Sequence, residues 1–115
     1  MSHTANQIAF NIIYARALNP TKSFTNDEYC AYRGNNGTCC FVGALIKDEY
    51  YNTNLEYETA INPKVLEAVT LSLNTKPDPE FLYDAQIIHD DVPVHNWTLY
   101  LENLAKEYNL TVPSQ

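Results

Sequence analysis

Every glycine in this 115-residue chain falls between positions 34 and 43. They belong to one stretch, Cys30 to Tyr51, which reads CAYRGNNGTCCFVGALIKDEYY. The same stretch holds all three cysteines and Arg33, one of only two arginines. Glycine is placed where a side chain cannot be tolerated, and cysteine where a soft or reactive group is wanted. This concentration points to a built site, with the rest of the chain supplying scaffold.

The scaffold reads as helical. Residues 4–18 form a first helix with Ile8, Ile12, Ala15 and Leu18 on its apolar stripe and Ile13 widening it. Asn19-Pro20 ends it, since the residue before proline avoids the α region. Residues 20–28 are polar and read as a loop. Tyr29–Tyr32 reads as a short strand, Gly34-Asn35-Asn36-Gly37 as a tight turn, and a short helix starts near Cys39 or Cys40. Asn62-Pro63 opens a helix, with asparagine as cap and proline pre-set for the first position. Its apolar face is Val65, Leu66, Val69 and Leu73. Asp78-Pro79-Glu80 repeats that start, and the following helix aligns Phe81, Leu82, Ala85, Ile88 and His89. After Pro93, residues 94–108 make a last helix with Trp97, Leu101, Leu104 and Tyr108 on one face. The expected fold is mainly α: a single domain over 1–115, four helices, and a turn-rich or hairpin segment around 29–40.

Charge narrows the function classes. Fourteen acidic against seven basic residues leave a formal charge of −7. Nucleic acid is therefore a poor partner, and a basic protein surface a good one. Nine tyrosines suit contact surfaces, including those of a homo-oligomer. No apolar run approaches the length of a membrane span, and the N-terminus lacks a signal-peptide pattern. An odd cysteine count fits a reducing compartment. The expectation is a cytoplasmic protein.

Three readings compete for Cys30, Cys40 and His89. The first is zinc, with the two cysteines meeting across the turn, but no fourth ligand is evident and no metal or cofactor is assigned. The second is a nucleophile. Cys40 at a helix start would have its thiolate stabilised, its own amide and a neighbour's would make an oxyanion hole, and His89 would be the base. Asp90 or Gln86 would be its polar partner, although adjacent helical residues diverge by roughly 100°. The third is structural: the cysteines pack as small hydrophobes and His89 bonds a backbone group. Arg33 would then pin the turn to Asp48 or Glu49. The structural reading is favoured.

The stretch resembles a family of small uncharacterised proteins of tailed phages and prophages. The match lies in Cys30, Tyr32, Arg33, Gly37, Cys40, Val42, Gly43, Leu45, Ile46, Asp48, Glu49 and Tyr50. A second block comprises Leu82, Gln86, His89, Asp90 and Trp97. Lys47 departs from the family's usual proline, and Cys39 is an additional cysteine. The resemblance implies a phage-linked setting. The function expected is a small acidic binding protein that counters a bacterial defence, by masking a host protein or sequestering a small signalling ligand. Its binding residues would be Tyr32, Arg33, Asp48, Glu49, Tyr50 and Trp97. A cysteine hydrolase using Cys40, His89 and Asp90 is the alternative.

Overall fold

The computed structural model describes residues 2–23, 31–34, 37–56 and 58–113. Four helices carry the fold: α1 (Ser2–Ala17), α2 (Pro63–Leu73), α3 (Pro79–Asp91) and α4 (Trp97–Glu107). Between α1 and α2 the described residues make three single 3-10 turns, Gly43–Leu45, Asp48–Tyr50 and Thr53–Leu55. A fourth, Val94–Asn96, leads into α4, so that helix begins three residues later than its sequence pattern suggests. Helix α4 packs against both α3 and α1, and α1 also packs on the Gly43–Leu45 turn. The mainly α, four-helix architecture is as expected.

The core face of α1 is not the one expected. Ala5, Ala9, Phe10, Ile13, Tyr14 and Ala17 are buried, whereas Ile8, Ile12 and Leu18 are 36–49% exposed. The helix is apolar on several sides, and the two aromatic rings bring more area to bury than the isoleucines do. The other stripes hold with small shifts. Helix α2 buries Val65, Ala68, Val69 and Ser72; α3 buries Phe81, Leu82, Ala85, Ile88 and His89; α4 buries Trp97, Leu101, Leu104 and Ala105.

The helix ends follow local chemistry. The Asn62 side chain accepts a hydrogen bond from the Lys64 amide and caps α2. Asn74 closes that helix at φ 57°, in the left-handed region where asparagine is among the few tolerated residues. Asp78 occupies the cap position of α3 without capping it. Its carboxylate instead accepts from Nδ2 of Asn6 at 3.1 Å, while its amide donates to Oδ1 of Asn6 at 2.8 Å. Asn6 is buried on α1, so this reciprocal pair locks the start of α3 to α1.

The segment around the glycines is compact but irregular. The Gly34 amide donates to the Thr38 carbonyl at 2.8 Å, closing the turn, and Gly37 sits at φ 74°. Ala31 and Tyr32 do not form the expected strand, and no strand occurs among the described residues. The helix expected from Cys39 or Cys40 is only the Gly43–Leu45 turn. Cys30 and Tyr29, residues 24–28 of the expected loop, and Asn35-Asn36 lie outside the described residues.

Candidate functional site

Cys40 and His89 both come to the middle of the molecule, but each is bonded elsewhere. Cys40 is buried, and its Sγ accepts a hydrogen bond from the Gly43 amide at 3.2 Å. Its own amide donates to the Ala31 carbonyl at 3.2 Å, and the Val42 amide donates to Oε1 of Gln86 at 3.1 Å. The Cys40 amide expected in the oxyanion hole, and that of Val42, are therefore committed within the fold. Burial pushes the Cys40 thiol strongly up; the Gly43 amide pulls the other way, and the Asp90 carboxylate adds to the rise. A helix N-terminus that would stabilise the thiolate is missing, because a single 3-10 turn lacks the aligned dipoles of a helix.

His89 is fully buried between two rings. Trp97 stacks on it at 5.2 Å, and Phe41 meets its edge at 5.3 Å. Its Nε2 accepts from the Ser23 amide at 3.2 Å, and Nδ1 lies 2.9 Å from Oδ1 of Asp90. An amide can only donate, so Nε2 carries the lone pair and Nδ1 the proton. The short aspartate side chain reaches its helical neighbour despite the divergence expected of adjacent positions. Gln86, one turn earlier, donates to the same Oδ1 at 2.9 Å. Burial lowers the basicity of His89; the Asp90 bond opposes this, and Arg16 and Lys22 reinforce it. Both ring nitrogens are thus occupied by groups other than Cys40.

Arg33 and Glu56 hold the turn in place. The guanidinium of Arg33 pairs with Asp48 at 2.6 Å, donates to the Ile46 carbonyl at 2.7 Å, and lies over the Tyr51 ring. Asp48 is therefore the partner of Arg33, of the two acids considered. Behind it, one carboxylate gathers three donors. Glu56 accepts from the amides of Tyr32 and Arg33, each at 3.0 Å, and from the Tyr51 hydroxyl at 2.5 Å. Sequence reasoning missed Glu56, because its donors lie 23 and 24 residues earlier and 5 earlier in the chain.

The expected binding residues separate. Glu49 and Tyr50 border a groove with Lys64 and Leu71. Arg33 and Asp48 are occupied by each other. Trp97 is completely buried and donates its indole N–H to the Val92 carbonyl at 3.1 Å, so it serves the core and not a surface. Tyr32 is buried too, and its hydroxyl donates to the Glu58 carbonyl at 2.5 Å.

Tyr32 and Cys40 do line a cleft of about 560 Å³. Helix α3 supplies Tyr83, Gln86, Ile87, Asp90 and Asp91, while Glu58, Thr59 and Ala60 border it from the chain before α2. Tyr83 and Ile87 are 40% and 37% exposed. Among the described residues three carboxylates line this space, and no lysine or arginine does. Lys22 reaches the vicinity only to donate to the Asp90 carbonyl at 3.0 Å. The cleft had a sequence signal: Tyr83 and Ile87 are one turn apart on α3, off its buried stripe.

Among the described residues no group of three histidine, cysteine or acidic side chains is placed to hold a metal ion, and the zinc reading also needed Cys30, outside them. No helix among them is long and apolar enough to cross a membrane. Comparison of the chain with protein-family models, curated proteins and solved structures finds no match.

Proposed function

We propose that this chain is a small acidic binding protein whose α3 cleft receives a basic segment of a partner protein. The observation that carries the reading is the cleft's lining: Glu58 and Asp91, with Asp90 held by His89 and Gln86, beside the apolar faces of Tyr83 and Ile87, and no basic side chain among the described residues. A lysine or arginine presents an apolar stem and a cationic head, which suits both surfaces at once. An anionic signalling nucleotide would meet three carboxylates, so masking a protein is favoured over sequestering such a signal. The resemblance to phage proteins makes the partner a protein of the bacterial host, and a defence component is the natural target.

The hydrolase alternative is weaker on chemical grounds. A nucleophilic cysteine needs a thiolate and a base within hydrogen-bond reach. The Cys40 thiol is held protonated, and the His89 lone pair is taken by the Ser23 amide.

Affinity capture from a host lysate tests the proposal. The native chain should retain a basic protein that elutes as salt rises, and a Glu58→Lys/Asp91→Lys variant with an unchanged circular-dichroism spectrum should lose it. Equal retention by the variant would overturn the assignment to this cleft.

A further inference from the structure

His89 does something in this fold that a filler of the core would not. Its Nε2 holds the amide of Ser23, a completely buried residue. The Ser23 carbonyl in turn accepts from the Ala31 amide at 3.0 Å, and the Ala31 carbonyl accepts from the Cys40 amide at 3.2 Å. The Ser23 hydroxyl also accepts from Thr38 at 3.3 Å. One ring nitrogen thus anchors a relay of backbone bonds, running from α3 through the Ser23–Ala31 closure to Cys40 at the cleft.

We propose that His89 is an acid-sensitive latch: its neutral form holds Ser23 and the Ser23–Ala31 closure, and protonation at Nε2 releases them. The reason is donor and acceptor arithmetic. A proton on Nε2 sets two N–H donors against each other and leaves the Ser23 amide buried without an acceptor. It also places a cation between the rings of Phe41 and Trp97. The surrounding charges divide. From α3, Asp90 at 2.9 Å favours the cation. From α1, Arg16 lies over the Trp97 ring at 5.7 Å, and from the chain before Ser23 comes Lys22; both oppose it. The segment bearing Phe41 brings only the thiols of Cys39 and Cys40, and on α4 the Glu102 carboxylate is engaged by the Tyr14 hydroxyl at 3.0 Å. Burial and two cations outweigh one carboxylate, so the latch stays closed at neutral pH and opens on acidification. This inference is independent of what the cleft binds.

Nitrogen NMR and amide exchange on the full-length chain test it. At pH 7 the His89 ring should show the Nδ1-protonated tautomer. As pH falls below about 6.5, the protection factors of the Ser23 and Ala31 amides should drop about tenfold per pH unit, following linkage to one proton. Amides of the α2 and α4 cores should stay better protected than those of Ser23 and Ala31 throughout that range. In His89→Gln, whose amide oxygen can accept from Ser23 but does not titrate, the drop should vanish. An Nε2-protonated ring at pH 7 would overturn the proposal. So would pH-independent protection at Ser23 in the native chain, which needs no variant to fold. Ser23 protection equal to that of the helix cores at every pH would make this global unfolding and overturn it too.

Discussion

Gly43 shows how tightly the glycine-bearing stretch is seated. A Cβ added there would overlap the Tyr32 carbonyl oxygen and stand 2.9 Å from its carbon. Backbone cannot yield as a flexible side chain would. Gly43→Ala should therefore cost about 3 kcal/mol or prevent folding, read from urea denaturation. Glu56 is the second sensitive residue. Replacing it with glutamine turns one acceptor oxygen into a donor facing other donors, and should cost about 2 kcal/mol on the same assay. Only one of these two was legible in the sequence. Glycine beside cysteines in an apolar run announces a close approach. An acid in the polar run from Asn52 to Thr59 announces nothing, because the amides it serves are brought to it by the folded chain.

At the scale of elements, α2 and α3 could be read almost to the residue, since each has a proline-marked start and an apolar face, and α4 to within three residues of its start. Helix α1 was found but turned to the wrong face. Its apolar residues surround much of the helix, so periodicity could not choose a side, and the partner surfaces on α4 and the Gly43–Leu45 turn decided. The caps carry a contrast worth measuring. Asn62 caps its own helix at the surface, whereas Asn6 is buried and joins α1 to α3. Asn62→Ala should cost about 1 kcal/mol. Asn6→Ala leaves the Asp78 amide and carboxylate short of partners at a buried junction, and should cost about 2 to 3 kcal/mol. Equal losses in thermal denaturation would contradict this ranking.

For the whole molecule, buried and bonded ionisable groups set the pH range of stability. His89 is less basic in the folded chain than in the unfolded one. The unfolded state therefore takes up its proton first, and stability present above about pH 6.5 declines as pH falls. Tyr51 and Tyr108 lie at the other edge. Burial first, then hydrogen bonds to Glu56 and Asp84, push each up to about 12 from 10.0. Their share of stability is complete below pH 10 and declines from there toward 12, while the buried Cys40 thiol, raised from 9.0, starts the decline from about pH 9. Melting temperature against pH should form a plateau between roughly 6.5 and 9, with the acid shoulder removed in a folded His89→Gln variant. A melting temperature still rising steadily from pH 7 to 10 would contradict it.

The central claim is that Cys40 and His89 are committed to the fold, as the proposed binding role of the acidic cleft requires. Alkylation of the native protein by iodoacetamide, read peptide by peptide, tests it most directly. Cys39 is half-buried and Cys40 is sealed in. Cys39 should label before Cys40, with Cys40 protected until the chain is unfolded by denaturant. Labelling of Cys40 in the native protein faster than free cysteine, at neutral pH, would contradict the account and restore the nucleophile.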